Sequence, residues 1–172
     1  MKEQSFYSSG LKFSCIRCSY CCRKESGFVY LSENDLSVLA KKLGMDYTDF
    51  VKTWCRWVPF TRNRERLSLK EKSNFDCIFW SASIGGGVSE GDIASFRGAG
   101  CAVYDDRPLQ CRTYPFWDSV VCSEKAWNET GKGCPGINSG TLHEKETIEN
   151  FIHRLENEPV IERIIQRPGE AG

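Results

Sequence analysis

The chain has 172 residues, and its 23 Lys and Arg balance its 23 Asp and Glu, so the net charge is zero. A neutral chain creates no overall field toward nucleic acid or an anionic membrane, and no apolar run approaches the roughly 18 residues of a membrane span. Hydrophobic residues make up 40% and charged residues 27%, as in an ordinary soluble globular protein. The length predicts one domain, or one domain with a helical appendage, and no membrane association.

The chain is rich in cysteine, with ten in all. Residues 1–14 lack the apolar stretch of a secretory signal, so we expect a reducing compartment, the cytoplasm. In such compartments disulfides are rare, and clustered cysteines more often hold a metal or do redox chemistry. A disulfide framework is the alternative, but Cys21 and Cys22 are adjacent and cannot easily pair with each other.

Four cysteines fall within eight residues near the amino terminus, in the stretch F-S-C-I-R-C-S-Y-C-C-R: Cys15, Cys18, Cys21 and Cys22. A C-x2-C step lets two thiolates turn toward one metal from a tight loop. A third cysteine three residues later makes the three-ligand run of a 4Fe–4S cluster that a distant cysteine completes, although the first step also suits zinc. Adjacent cysteines in extended backbone point to opposite faces. We therefore expect a metal-binding chain in which Cys21 and Cys22 do not bind the same ion.

Two helices are predicted after this cluster, behind a short strand over residues 27–31. Ser32 with Asp35 resembles a capping box that opens the first helix, and Gly44 ends it. The second helix runs from Asp46 to about Trp54. The apolar face of the first helix comprises Leu36, Leu39, Ala40 and Leu43.

The middle of the chain contains short β-like segments around a long loop. We predict strands for residues 66–70, 75–80, 102–104 and 120–121. Residues 81–100 hold six glycines and are typical of an irregular loop. Arg107-Pro108 indicates a turn or a helix start.

The pattern changes at Thr141, which forms a second capping-box pattern with Glu144. Apolar residues then recur at helical spacing: Ile148, Phe151, Ile152 and Leu155. Pro159 opens a last predicted helix. These patterns predict a cysteine-cluster metal-binding domain over residues 1–140 and a C-terminal helical extension over residues 141–172 packed on it.

The predicted fold class is α+β: a small irregular, metal-stapled domain with short strands, peripheral helices and C-terminal helices. The strands are too short and interrupted to form a large sheet core unaided. Metal coordination would supply ordering energy that the unfolded chain lacks.

The spacing Cys15-x2-Cys18-x2-Cys21-Cys22 resembles the signature of the YkgJ-type CxxCxxCC cysteine-cluster family, described as zinc- or iron-chelating proteins. Three later stretches are similar to that family: F-D-C-I-F-W around Cys77, the block C-A-V-Y-D-D-R-P-L-Q-C-R-T-Y-P-F over residues 101–116, and C-P-G at 134–136. The resemblance covers residues 13–140. It implies eight metal ligands: Cys15, Cys18, Cys21, Cys22, Cys77, Cys101, Cys111 and Cys134.

The chain departs from the family pattern between Cys77 and Cys101, which 23 residues separate. We interpret the glycine-rich stretch there as an insertion, typically a tolerated surface loop. Cys55 and Cys122 lie outside the family pattern. Cys55 is expected to be a small buried hydrophobic residue.

The cofactor is expected to be an iron–sulfur cluster or zinc. A ligand run of three cysteines with a remote fourth, such as Cys134, slightly favours the cluster, because zinc commonly uses two C-x2-C knuckles and this chain has one. Two four-thiolate sites, or one cluster with spare thiols, remain open. Basic neighbours could offset the thiolate charge or donate hydrogen bonds to sulfur, or be simply solvated: Arg17, Arg23, Lys24, Arg107 and Arg112.

Two other functions remain as alternatives. The cysteine cluster is similar to that of flagellin lysine methylases, which implies an iron–sulfur-dependent enzyme, yet the chain has no glycine-rich nucleotide loop after a strand. The second alternative is a zinc-stabilised nucleic-acid or protein interaction module. Residues 51–72 suggest it, because they contain seven Lys and Arg but only two Glu, interleaved with Trp54, Trp57 and Phe60. Nucleic acid is not an expected partner, because the chain is neutral and has no recognised nucleic-acid motif.

Two further groups are assigned structural roles. His143 and His153 are predicted on one late helix, roughly 15 Å apart along its axis, so they cannot share an ion and are expected at the surface. Tyr114, Phe116 and Trp117 are expected to form core around the metal site.

Overall fold

The computed structural model describes residues 5–23, 26–82 and 100–165. Helices and short antiparallel strands are mixed along the chain, which confirms the predicted α+β class. The helices are α1 (Tyr20–Arg23), α2 (Glu33–Leu43), α3 (Tyr47–Trp54), α4 (Leu109–Thr113), α5 (Asp118–Val121), α6 (Glu124–Gly131) and α7 (Lys145–Asn157). The strands are β1 (Leu11–Phe13), β2 (Cys55–Thr61), β3 (Arg64–Leu69), β4 (Trp80–Ser81), β5 (Gly100–Cys101), β6 (Ile137–His143) and β7 (Glu162–Ile164).

The strands form three small antiparallel sheets, ordered β2-β3-β7, β1-β6 and β4-β5. In the first sheet β2 and β3 make a hairpin, and β7 returns from the end of the chain to pair with β3. Glu162 of β7 accepts hydrogen bonds from Arg66 at 2.8 Å and from Arg64 at 3.1 Å. Because no described strand exceeds seven residues, the sheets alone cannot build one continuous core.

The capping box predicted for α2 is confirmed. The Ser32 hydroxyl accepts from the Asp35 backbone N–H at 3.1 Å, and the Asp35 carboxylate accepts from the Ser32 N–H at 3.3 Å. Gly44 ends the helix with a φ of 64°, a left-handed conformation that glycine adopts without steric cost. Asp46 caps α3 in the same way that Ser32 caps α2. The starts and ends of these two helices could be predicted from the sequence, because the capping signals involve only neighbouring residues.

Two hydrophobic clusters make up the core. The first joins α2 and α3 to the β2–β3 hairpin and contains Leu31, Leu36, Leu39, Phe50 and Leu67. The second lies between β1, β6 and the helices of the second half, and contains Phe13, Phe116, Trp127, Ile137 and Ile148. The thiol-rich part of the molecule lies between them.

Two of the short strand predictions are wrong, and a third predicted strand is much shorter in the structure. Residues 102–104 form a turn that enters a 3₁₀ turn over Tyr104–Asp106. Val120 and Val121 lie in α5 and are buried in the second cluster, where packing overrides the strand preference of valine. The run over residues 75–80 is mostly turn, and its strand begins only at Trp80. Residues 27–31 are extended beside β3, with a single bridge between Tyr30 and Ser68.

The carboxy-terminal predictions need two corrections. Thr141 lies in β6, and α7 begins after Glu144 without any side-chain cap, so the second capping box is wrong. The helical stretch that follows is confirmed, with Ile148 fully buried. The helix predicted from Pro159 is also wrong, because the segment pairs with β3 as β7. Short β-branched segments favour a strand once a partner edge is available.

Two predictions have no structural test. Most of the glycine-rich stretch, residues 83–99, lies outside the described residues. The division at residue 140 stays a prediction; β6 spans that position, and β7 belongs to the same sheet as β2 and β3. None of the helices within the described residues is long and apolar enough to cross a membrane.

Candidate metal centre

The first part of the cysteine motif lies on a loop between β1 and α1. Arg17 and Ser19 flank Cys18 and adopt positive φ angles of 58° and 63°. Such angles are uncommon for residues other than glycine, and here they turn the chain around Cys18, as a C-x2-C step requires. Cys15 and Cys18 are thereby carried on a tight turn.

Cys21 and Cys22 lie in α1, and their sulfurs are 3.7 Å apart. The expectation that they face opposite sides is wrong, because it assumed extended backbone; a helix rotates successive side chains by only about 100°. Two thiolates bound to one tetrahedral ion at about 2.3 Å have sulfurs about 3.8 Å apart. The observed separation is therefore compatible with both residues binding one centre.

The remote cysteines arrive from four different segments. Cys77 follows a turn and donates its backbone N–H to the Cys22 carbonyl at 2.7 Å. Cys101 lies in β5, Cys111 in α4, and Cys134 between α6 and β6. All eight cysteines of the implied ligand set line one cavity of about 60 Å³: Cys15, Cys18, Cys21, Cys22, Cys77, Cys101, Cys111 and Cys134.

Five of these thiols form an inner group: Cys21, Cys22, Cys77, Cys101 and Cys111. Burial raises the pKa of Cys111 well above its ordinary value, and the charges of Cys77, Cys21 and Cys101 raise it further. Burial likewise raises the pKa of Cys101 to about 11, with Cys77 and Cys21 adding to the shift. Cys21 differs, because the Cys22 thiol donates a hydrogen bond to its sulfur and lowers the pKa of Cys21 to about 7.

The other three thiols form an outer group of Cys15, Cys18 and Cys134. Burial raises the pKa of Cys134, and the negative charges of Cys18 and Cys21 contribute to that rise. Tyr114 lowers the pKa of Cys134 against this rise, and burial together with Cys15 raises the pKa of Tyr104.

The donor chemistry of the cavity fits a soft metal. Among the described residues, neither a carboxylate nor an imidazole lines it beside the eight thiols, and thiolates select zinc or iron–sulfur clusters over magnesium or calcium. Within residues 5–23, 26–82 and 100–165, no three Cys, His, Asp or Glu side chains stand in an arrangement that could hold one ion. The sulfurs thus share one cavity without converging on a single point, and coordination would require them to move closer together.

Among the predicted basic neighbours, Arg107 acts on the thiols. It lines the cavity and lowers the pKa of Cys21, Cys101 and Cys111 against the effect of burial. Its Nε donates to the Tyr104 carbonyl at 2.7 Å, which fixes the side chain in place. A fixed positive charge at this position offsets part of the negative charge of a thiolate site.

The remaining basic neighbours have other contacts. The guanidinium of Arg17 lies 3.9 Å from the centroid of the Tyr104 ring. Arg112 is 3.9 Å from the Asp35 carboxylate. Lys24 lies outside the described residues.

Sequence reasoning did not identify Asp76 or Tyr104 as site residues, and it placed Tyr114 only in the core around the site. Asp76 is only 3% exposed and accepts from Arg23 Nε at 3.3 Å, which ties the end of α1 to the residue before Cys77. Tyr104 and Tyr114 occupy the block over residues 101–116 that carries the family resemblance. Their position beside Cys101 and Cys111 in that block was the available signal.

Cys55 and Cys122 lie away from the cavity. Cys55 is buried in the first hydrophobic cluster, as predicted, and burial raises its pKa to about 12. It stands at the junction of α3 and β2. Cys122 is exposed and follows α5.

The histidines and aromatic residues are positioned as follows. His143 lies in β6 rather than on the helix, and is half-buried against Phe116 and Phe151, so its predicted surface position is wrong. His153 is exposed on α7, as expected. Phe116 is buried in the second cluster, Trp117 packs partly buried against that cluster, and of the three aromatic residues Tyr114 lines the thiol cavity.

The basic segment over residues 51–72 forms α3's end and the β2–β3 hairpin, where much of its charge is paired. Arg56 contacts Glu71 at 2.7 Å, and Glu162 accepts from Arg64 and Arg66. Glu65 in the same hairpin pairs with Arg163 at 2.6 Å. Three of the seven Lys and Arg of the segment, Arg56, Arg64 and Arg66, are thus paired with carboxylates along the sheet.

A comparison with known families gives one match. The family model described as "CxxCxxCC: Putative zinc- or iron-chelating domain" matches residues 14–135. The matched region contains all eight cysteines that line the cavity. No solved structure matches the chain.

Proposed function

Since this chain belongs to the CxxCxxCC family of zinc- or iron-chelating domains, we propose that it holds an iron–sulfur cluster through thiolates of the shared cavity. The observation that carries the proposal is that eight cysteines from five separate segments line one cavity. Thiols far apart in sequence rarely gather in a reducing compartment without a metal to hold. All ten cysteines are free, so each thiol of the cavity is available to a metal.

The inner group is proposed to supply the principal ligands. Its thiols influence one another strongly: the charges of Cys21 and Cys77 both raise the pKa of Cys101 and of Cys111. Thiols whose thiolate forms repel one another keep their protons while no metal is present. They lose these protons when a metal cation binds. The outer group then adds the remaining ligands or a second site, through Cys18 and Cys134.

The iron–sulfur assignment is supported by ligand spacing. A structural zinc ion and a 4Fe–4S cluster both take four ligands, so the eight thiols of the cavity are enough for either. The run Cys15, Cys18, Cys21 has the spacing of a cubane ligand loop. A cluster bound here would supply one-electron transfer, whereas zinc would supply structural stabilisation.

Other residues of the cavity would adjust the reduction potential of a cluster or the affinity for zinc. Arg107 would offset thiolate charge, and the hydroxyls of Tyr104 and Tyr114 would donate to Cys15 and Cys134. Hydrogen bonds to ligand sulfurs raise the reduction potential of a cluster or the affinity for zinc. The apolar residues Phe13 and Phe79 restrict water at the cavity wall.

The test is metal and acid-labile sulfide analysis of protein purified without oxygen. We expect iron with an equal amount of sulfide; zinc without sulfide would support the structural alternative, and folded protein containing neither would contradict both. Cys111→Ser should remove at least half of the metal, because this thiol belongs to the inner group. Cys122→Ser is the matched control and should leave the metal content unchanged.

A further inference from the structure

A cleft of about 470 Å³ lies next to the thiol cavity: Leu109 and Gln110 of α4 line the cleft, whereas Cys111 of the same helix lines the thiol cavity. The start of α2, helices α4, α5 and α7, and the segment after α7 contribute its walls. Cavities of roughly 300–1,000 Å³ are the usual size of small-molecule sites. The proposed metal centre does not use this cleft.

The walls of the cleft are largely apolar and well fixed. Leu109, Trp117, Ile152, Leu155 and Val160 line it, together with the ring of Tyr30. The Trp117 indole N–H donates to the Gln110 carbonyl at 2.9 Å, and the Gln110 side-chain oxygen accepts from the Tyr30 N–H at 3.0 Å. The first bond holds the Trp117 ring at the cleft wall and the second fixes the Tyr30 backbone, while the Tyr30 ring stacks on Phe28 with ring centroids 5.9 Å apart. The apolar surface therefore exists before any ligand arrives.

The charge of the cleft is negative. Asp118, Glu156 and Glu158 line it, and within the described residues no Lys or Arg forms an ion pair with any of the three. Arg66 also lines the cleft, but its guanidinium is already bound to Glu162 at 2.8 Å. Among the residues that the structure describes, the cleft therefore has no available positive group to balance three carboxylates.

The fourth acidic residue of the cleft, Asp35, is already satisfied. Its carboxylate accepts from the backbone N–H groups of Ser32 and Leu109, at 3.3 and 2.9 Å. It therefore belongs to the fold, whereas Asp118, Glu156 and Glu158 remain for a ligand. A test of the cleft should therefore change Asp118, Glu156 or Glu158 and leave Asp35 in place.

We propose that this cleft binds a small organic cation with an apolar body. The Trp117 ring and the aliphatic wall would cover the body of the ligand, and the carboxylates would hold its ammonium group. Aromatic faces also attract cations, because the ring quadrupole is negative at the face. An anion would meet uncompensated carboxylates, and a neutral molecule would leave them without a partner.

Titration calorimetry with phenethylammonium on the full-length protein tests the proposal. We expect saturable binding that is about tenfold tighter than that of 2-phenylethanol, which has the same shape and no charge. The binding should weaken as salt rises, because the carboxylates are partly exposed. Absence of saturable heat, or equal binding of the alcohol, would overturn the proposal.

Paired variants on α7 make the test specific. Glu156→Gln removes a carboxylate from the cleft, and should weaken phenethylammonium binding about threefold to tenfold. Glu146→Gln makes the same change on the same helix outside the cleft lining, and should leave binding unchanged. Equal weakening by both variants would show general surface attraction and overturn the assigned site. Circular dichroism on each variant checks that the fold is retained.

Discussion

Asp76 illustrates how a single buried carboxylate positions a thiol. Its two oxygens accept from different donors, Arg23 Nε at 3.3 Å and Asn74 Nδ2 at 2.9 Å. Arg23 also lies over the ring of Trp80, with its guanidinium carbon 3.9 Å from the ring centroid. The end of α1 is thereby joined to the turn before Cys77.

We predict that Asp76→Asn destabilises the fold and loosens metal binding. An amide has one acceptor oxygen, so its NH2 group would face either Arg23 or Asn74, both of which are donors. The cost of a buried polar group left without a partner is about 1–3 kcal/mol. Denaturant unfolding should show this loss, and transfer of metal to an external chelator should be faster than in the wild type.

The control for this prediction is an acidic residue with an exposed partner. Glu129 pairs with Lys132, and both side chains are more than 60% exposed. Glu129→Gln should therefore change the free energy of unfolding by less than about 1 kcal/mol. If Asp76→Asn is as mild as Glu129→Gln, the positioning role of Asp76 is wrong.

Among the elements, the motif loop and the start of β6 approach each other closely. The Ser14 N–H donates to the Gly136 carbonyl at 3.2 Å. A Cβ placed on Gly136 would lie 2.3 Å from the Ser14 carbonyl oxygen, and one on Gly133 would lie 1.9 Å from the Tyr20 ring. The two glycines that flank Cys134 therefore allow this cysteine to reach the motif loop.

We predict that Gly136→Ala destabilises the protein by about 1–3 kcal/mol, because the added methyl group meets backbone that cannot easily move. The same change should lower the metal content, since Cys134 would be pushed from the loop that carries Cys18. Thermal unfolding and metal analysis of the variant measure both effects.

Gly27→Ala is the matched control, because a Cβ there has no atom within 4 Å. It should leave both quantities near the wild-type values. A Gly136→Ala protein with normal stability and normal metal content would contradict the proposed contact.

The elements also show what the sequence could and could not predict. The cap of α2 at Ser32 and its end at Gly44 were predictable, because both signals depend on neighbours within four residues. The strand β7 was not predictable, because its conformation depends on the edge of β3, almost one hundred residues earlier in the chain. Local periodicity was compatible with a helix, and pairing decided otherwise.

The same distinction applies to the site. Spacing alone indicated Cys15, Cys18 and Cys21 as metal ligands, and the family resemblance added the remote cysteines. The relation of Cys21 to Cys22 depended on whether their backbone is helical or extended, which the four-residue helix α1 settles. The contribution of Asp76 is a tertiary contact between residues 53 positions apart and has no local signature.

At the scale of the whole molecule, the thiol cavity lies at the junction of two separate cores. Phe13 of the second cluster lines it together with Leu69 and Phe79 of the first. The sheets on either side are short, with two or three strands each. A metal centre in this position would tie the two clusters together.

We predict that removing the metal lowers the melting temperature by more than about 10 °C. Structural metal sites contribute about 10 kcal/mol or more to folding, and in a protein of this size each 1 kcal/mol shifts the melting temperature by about 2–4 °C.

The loss of structure on metal removal should be uneven, because α2 keeps its own cap and its packing in the first cluster, whereas the motif loop and α4 depend on the cavity between the clusters. Hydrogen exchange of metal-loaded and chelator-treated protein, both kept reduced, should show protection lost first over residues 14–23 and 100–115 and retained in α2. Readdition of metal should restore it, and equal melting temperatures with unchanged protection would contradict a centre that joins the two cores.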